Sequence, residues 1–89
     1  MADSLGSPEV RRFGQRVTVH QPAQLAVGDR VLLGVIENVG LRGVFFAAPR
    51  PPEVDRRGVL RGPEGKPIAV RVVWQRRGDL PGVGLVFDS

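Results

Sequence analysis

The 89 residues are enough for one small domain, and the absence of cysteine removes disulfide staples and thiolate metal sites from consideration. Lys and Arg number 13 against 9 Asp and Glu, a net charge of +4, while the 42% hydrophobic share suits a packed core rather than a disordered chain. The longest apolar stretch, Val31 to Ile36, falls far short of the roughly 20 residues of a membrane span, and the first ten residues lack the basic and apolar regions of a signal peptide, so membrane insertion is not expected and the expected location is the cytoplasm.

Residues 1–10 are small and polar, broken by Gly6 and Pro8, and are expected to form a flexible N-terminal arm, with residues 11–89 forming the folded domain. Arg11-Arg12-Phe13-Gly14-Gln15-Arg16 then packs three arginines into six residues. Arg16 to His20 alternates polar and apolar with β-branched residues, which predicts a half-buried strand. Pro22 interrupts it, so this strand is expected to be an edge or to carry a bulge before resuming over Ala23–Val27. Gly28-Asp29 signals a two-residue hairpin, Arg30–Val39 a long apolar strand, Gly40–Gly43 a tight turn, and Val44–Ala48 the returning strand. Pro49, Pro51 and Pro52 remove ladder donors, so 49–55 is a loop. Gly58–Arg61 is a short strand and Gly62–Gly65 a hairpin turn. Pro67–Gln75 alternates, with Ile68, Val70, Val72 and Trp74 on one face. A last turn at Arg77–Gly82 leads to Val83–Phe87. The sum is about six short strands and no convincing helical period, which predicts an all-β, six-stranded antiparallel barrel or a sandwich. Phe45, Phe46, Trp74 and Phe87 are expected mostly in the core, although Phe45 and Phe46 are adjacent and only one of them can face the core if the strand is regular.

Catalytic chemistry finds little support. His20 is the only histidine, the serines stand only at 4, 7 and 89, and Glu53, Asp55 and Glu64 lie in turns or loops without a partner base or nucleophile. An enzyme or metal centre needs convergent groups on a rigid frame. The chain is therefore expected to be neither an enzyme nor a metal or cofactor binder, and His20 is expected at a strand surface.

The arginines carry more. Twelve of the 13 basic residues are arginine, with Lys66 the exception; GC-rich coding alone would favour such a bias, so position has to decide. Arg12 and Arg16 form R-x-x-x-R, doubled by Arg11, where the arm meets the first strand. On spacing alone this is also what a solvated basic arm looks like. Asn38-Val39-Gly40-Leu41-Arg42-Gly43 stands at the tip of the longest hairpin, where an ordinary glycine turn has the same composition. Phe13 lies between the arginines and is expected to pin the arm to the barrel.

Taken together and in order, these elements resemble the bipartite signature of the PilZ family, R-x-x-x-R followed by D/N-x-S-x-x-G: Arg12, Arg16, Asn38 and Gly43 match, and Arg16 and Asn38 stand 22 positions apart. The strands around the second motif and the closing Val72-Val73-Trp74 and Gly82–Phe87 hairpin are similar to the family's, so the resemblance covers residues 11–88. It implies a six-stranded barrel that binds cyclic di-GMP and regulates motility, exopolysaccharide production or virulence. The implied ligand site is Arg11, Arg12, Arg16, Asn38, Gly40, Arg42 and Gly43. Arginine can pair bidentately with a guanine edge or a phosphate and can stack on a purine. Asn38 could meet a guanine Watson–Crick edge, and Gly43 would let backbone approach closely or take positive φ.

Two positions depart from the signature. Gly40 replaces the motif serine, removing a hydroxyl whose hydrogen bond contributes roughly 0.5–1.5 kcal/mol, or about 2- to 13-fold in affinity. Arg42 replaces a small residue and either adds a phosphate contact or crowds the pocket. A second reading follows, a PilZ-like adaptor that has lost the nucleotide and acts by protein contact. A third, a nucleic-acid-binding barrel, is disfavoured because aromatics are few, tyrosine is absent and there is one lysine to track a backbone. A domain of this size has to signal by contact, so ligand binding is expected to order residues 1–16 and change either a surface read by a protein partner or homodimerisation.

Overall fold

The computed structural model describes residues 16–88. Six strands, β1 (Arg16–Val27), β2 (Arg30–Gly40), β3 (Gly43–Ala47), β4 (Arg57–Arg61), β5 (Pro67–Arg76) and β6 (Gly82–Phe87), pair antiparallel in the order β1-β2-β3-β6-β5-β4 and close into a barrel. Among the described residues there is no helix. The expected architecture is thus the observed one, and each strand lies within a few residues of its predicted span.

The barrel closes through a short seam, Gln24↔Arg61, Leu25↔Leu60 and Ala26↔Val59. Leu25 and Leu60 face each other inward there and are almost wholly buried. The interior is filled by alternate residues of all six strands, among them Leu32, Ile36, Val44, Phe46, Val70, Val72, Val83 and Leu85. Burying one such side chain contributes about 1.5–3 kcal/mol, which is what lets a chain this short hold a closed sheet without cross-links.

Turn chemistry follows the expected places. Gly28 opens the β1–β2 turn at φ 58, and Gly65 and Gly78 also take positive φ in turns. The proline loop between β3 and β4 is held by Gln75, whose amide donates to the carbonyls of Pro52 at 2.9 Å and Pro51 at 3.3 Å. Pro22 pairs with Val35 just past a register shift of β1 on β2 between Thr18 and Gln21, and because β4 pairs only with residues 24–26, β1 has an open edge at the proline.

One expectation about the aromatic residues needs correction, and the adjacent phenylalanines send only one ring to the core as expected. Trp74 does not point into the core with Val70 and Val72; it is 40% exposed. The register of β5 on β6 shifts between Val72↔Leu85 and Trp74↔Gly84, so an extra residue in β5 turns the indole to the outer face. Phe45 and Phe46 are both buried, Phe46 in the interior and Phe45 on the outside, where Trp74 and Arg76 cover it. Phe87 is part-exposed at the end of β6.

Candidate ligand site on the outer face of the barrel

The same device that turns Trp74 outward acts on β2. Ile36 pairs with Phe46 and both face the core, but the register shifts before Asn38↔Phe45. On a regular strand Asn38, two residues after Ile36, would point inward. The extra residue between them rotates it to the outside, opposite the externally buried Phe45. The pairings Thr18↔Asn38, Asn38↔Phe45, Phe45↔Gly84 and Gly84↔Trp74 therefore form one continuous row across five strands on the outer surface. Bulges in antiparallel pairs re-aim side chains, and here two of them place a polar group at one end of the row and an indole at the other.

Glycine makes the row flat. A β-carbon on Gly84 would stand 2.2 Å from Trp74 Nε1, and one on Gly82 would stand 2.7 Å from Phe45 Cζ. The two rings lie over these bare positions and stack on each other, centroids 5.4 Å apart and planes 16° from parallel. Such an offset pair adds about 0.5–1.5 kcal/mol beyond its buried area. The Arg76 guanidinium caps the pair, 4.7 Å from the Phe45 centroid and 5.8 Å from that of Trp74.

Arg16 begins β1 opposite Gly40, the last residue of β2. Its Nη1 donates to Asn38 Oδ1 at 2.7 Å, joining the two halves of the bipartite motif directly. The β2–β3 turn is Leu41-Arg42, whose backbone is tied down by Phe87 N donating to the Arg42 carbonyl at 2.8 Å. The Arg42 residue is exposed, on the rim and not in the packing. Gly43 is required by the sheet: a β-carbon there would come within 1.8 Å of the Leu85 carbonyl, so β3 can approach β6 only without one. Of the two roles expected for Gly43, close backbone approach is the observed one, and it is not among the glycines with positive φ.

Arg16, Gly40, Leu41, Arg42 and Gly43 share a depression of about 220 Å³ with Val73, Trp74, Gly84, Leu85 and Val86. Among the described residues no carboxylate lines it. The sequence-derived residues within the described range, Arg16, Asn38, Gly40, Arg42 and Gly43, are thus brought together, while Arg11, Arg12 and Phe13 lie outside the described residues. Trp74 and Gly84 were not expected at the site. Their signal was the pair Gly82 and Gly84 at alternate positions of one strand, which leaves an uncovered outer stripe for an aromatic ring to fill.

His20 sits in the β1 bulge, 70% exposed, with Nδ1 3.0 Å from Glu37 Oε1, away from the depression and at the strand surface expected for it. Among the described residues no three His, Cys, Asp or Glu side chains gather as a metal site would require, and no helix is long and apolar enough to cross a membrane.

A flat aromatic shelf beside two arginines and an asparagine is suited to a planar base carrying phosphate. The PilZ domain family matches the chain over residues 10–89, and the protein belongs to that family. No curated protein matches it.

Proposed function

We propose that this PilZ domain is a cytoplasmic receptor module for cyclic di-GMP, that it is not an enzyme, and that its N-terminal arginines close over a nucleotide seated on the β2–β3 turn. The observation that carries the reading is the Arg16–Asn38 hydrogen bond beside a depression that also contains Arg42 and Trp74 and that no carboxylate among the described residues lines. Asn38 offers an amide for a guanine edge, and Arg16 is already aligned with it. Trp74, stacked on Phe45 and part-exposed, gives a purine a face to stack on. Arg16 and Arg42 supply guanidinium groups for phosphate oxygens.

The size of the depression supports the role of the arm. At about 220 Å³ it is smaller than the roughly 300–1,000 Å³ pockets that bury a drug-sized ligand, so most of a cyclic dinucleotide would stand outside it. Arg11 and Arg12 precede Arg16 by a few residues and are the groups available to cover the rest. Binding would order the arm and present a changed surface to a protein partner, or alter self-association, in control of motility or exopolysaccharide. Ordering the arm costs entropy, and Gly40 supplies no hydroxyl, so moderate to weak affinity is expected.

Calorimetric titration of cyclic di-GMP into the wild-type chain and into an Arg12→Ala/Arg16→Ala variant tests the proposal. Saturable heat from the wild type and loss of at least 10-fold in the variant are expected, each charged hydrogen bond contributing roughly 1.5–3 kcal/mol. No heat at tens of micromolar protein, or equal binding by both, refutes it. Gly40 motivates one competing reading, a PilZ adaptor that does not bind the nucleotide; partner capture indifferent to cyclic di-GMP and to the arginine substitutions would favour that reading.

A further inference from the structure

β3 covers only part of β2. It pairs with β2 over Val35–Val39 and ends at Ala47, opposite Val35. Beyond that point Ala48 N donates at 3.0 Å to the Pro81 carbonyl, which draws the chain toward the β5–β6 turn, and Pro49 has no N–H to offer. Arg30–Gly34 therefore has β1 on one side and, among the described residues, no strand on the other.

The hydrogen-bond parity of the hairpin decides which groups are left over. Val27 and Arg30 close the two-residue turn as a hydrogen-bonded pair, and the pairs alternate from there. Leu32 and Gly34 thus bond to Leu25 and Ala23 of β1, whereas Val31 and Leu33 turn their N–H and C=O groups away from β1, to the uncovered side. Among the described residues no loop backbone bonds to either. Their side chains stand on the outer face, 62% and 74% exposed. The free backbone groups look onto a groove of about 470 Å³ whose far wall is Pro49 and Arg50.

Open edges are normally blunted by proline, a bulge or charge. The open edge of β1 carries Pro22 and a register shift. Arg30–Gly34 carries neither and pairs with β1 without a break. Backbone groups repeated at strand spacing recognise another extended backbone, whereas a helix satisfies its own groups internally. The rim selects the charge of the occupant: Arg30 and Arg50 line the groove, with Arg30 Nη2 donating to the Arg50 carbonyl at 2.7 Å. A second copy would bring the same two arginines to the groove on a chain of net charge +4, so charge favours an acidic partner over self-pairing.

We propose that the open edge of β2 at Val31–Leu33 accepts an added strand from a partner protein, an extended segment with apolar residues opposite Val31 and Leu33 and carboxylates at its ends that meet Arg30 and Arg50. Residues paired directly across a ladder project to the same face, so the partner's apolar side chains pack on Val31 and Leu33 outside the barrel. The groove shares no residue with the nucleotide depression, and its docking chemistry does not depend on nucleotide.

The test follows amide hydrogen exchange in the full chain without nucleotide. In the free chain the Val31 and Leu33 amides should exchange at least 10-fold faster than those of Leu32 and Gly34, which β1 holds. The probe is a synthetic peptide of alternating Val and Thr with Glu at both ends, added to about 1 mM beside a twin that ends in Lys. The Glu peptide is expected to slow exchange at Val31 and Leu33 at least 10-fold and to bind at least 10-fold more tightly than the Lys twin. Arg50→Glu, at an exposed position, should reverse that preference. N-methylation of the peptide's Val amides, which face β2, should abolish the protection, whereas N-methylation of its Thr amides, which face away, should leave it. Val31 and Leu33 amides already protected in the free chain, binding that leaves them unprotected, equal loss from the two methylation patterns, or no effect of Arg50→Glu overturns the proposal. Self-association in sedimentation that protects the two amides without peptide would assign the edge to a second copy and also overturns it.

Discussion

Replacing Gly84 by alanine should loosen the aromatic shelf without opening the barrel. The three atoms nearest to a β-carbon at this position all belong to the Trp74 indole, at 2.2, 2.3 and 2.8 Å, whereas ordinary contacts run from 3.4 to 4 Å. The ring therefore has to retreat by on the order of 1 Å, and being part-exposed it has somewhere to go. The retreat costs the offset stack on Phe45, about 0.5–1.5 kcal/mol, and a displaced side-chain torsion of about the same size. Against this, alanine restricts the unfolded chain and returns about 0.4–1 kcal/mol. The net loss is about 1 kcal/mol, a fall in melting temperature of roughly 4–8 °C for a domain of this length. Trp74 is the only tryptophan, so its emission reports the ring directly and should shift to the red as it leaves Phe45. Base stacking on an aromatic contributes roughly 1–3 kcal/mol, so affinity for cyclic di-GMP should fall at least about 5-fold. Gly62→Ala is the control: nothing lies within 4 Å of its added methyl, and it should melt with or above the wild type. A Gly84→Ala protein with wild-type melting and unshifted tryptophan emission would refute the claim that the glycine makes room for the ring.

Gly43→Ala should behave differently, because its obstacle is the Leu85 carbonyl and not a mobile side chain; forcing β3 from β6 should cost about 3 kcal/mol or more, visible as lost amide dispersion or insolubility. A folded Gly43→Ala protein that fails only to bind nucleotide would show instead that the position serves the ligand. Gly40→Ser restores the hydroxyl of the family signature and should tighten cyclic di-GMP binding by roughly 2- to 13-fold in calorimetry; weaker binding would mean that the site as built has no room for it. His20→Ala removes an exposed contact to Glu37 and should change stability by less than about 1 kcal/mol and nucleotide affinity by less than about 2-fold, since His20 is not part of the depression. A larger effect on binding would place His20 in the ligand site after all.

The strands and turns were legible because their signals are local. Pro49, Pro51 and Pro52 exclude a strand wherever they fall, Gly28-Asp29 supplies the φ of 58 that the first hairpin uses, and the alternation around Val70 and Val72 matches their burial. What was not legible is register. A bulge is a property of two strands, and nothing in Val72-Val73-Trp74 alone says that β6 will count one residue where β5 counts two. The period-2 rule therefore assigned Trp74 to the core, while for Phe45 and Phe46, in a strand that pairs regularly with β6, the same rule sent only one ring inward, as observed. The indole that leaves the interior is the cover that buries Phe45 on the outside.

The site was legible to a different degree in each half. That Arg16 and Asn38, 22 residues apart, hydrogen-bond to each other is a consequence of β1 and β2 pairing from Arg16↔Gly40 onward; the ordered resemblance to a bipartite signature implied beforehand only that the two share a site. The other half, Trp74 over Gly84, belongs to the far hairpin and reaches the same depression only because the closed sheet places β6 beside β3. A six-stranded barrel fills its interior with side chains and has no room there for a nucleotide. The outward rotations at Asn38 and Trp74 equip the surface instead, so the proposed site rests on the bulges in β2 and β5 as much as on the arginines: a deletion of Glu37 or Val73 that restored regular pairing would turn Asn38 or Trp74 back toward the core and remove it from the outer face while leaving every residue of the signature in the chain.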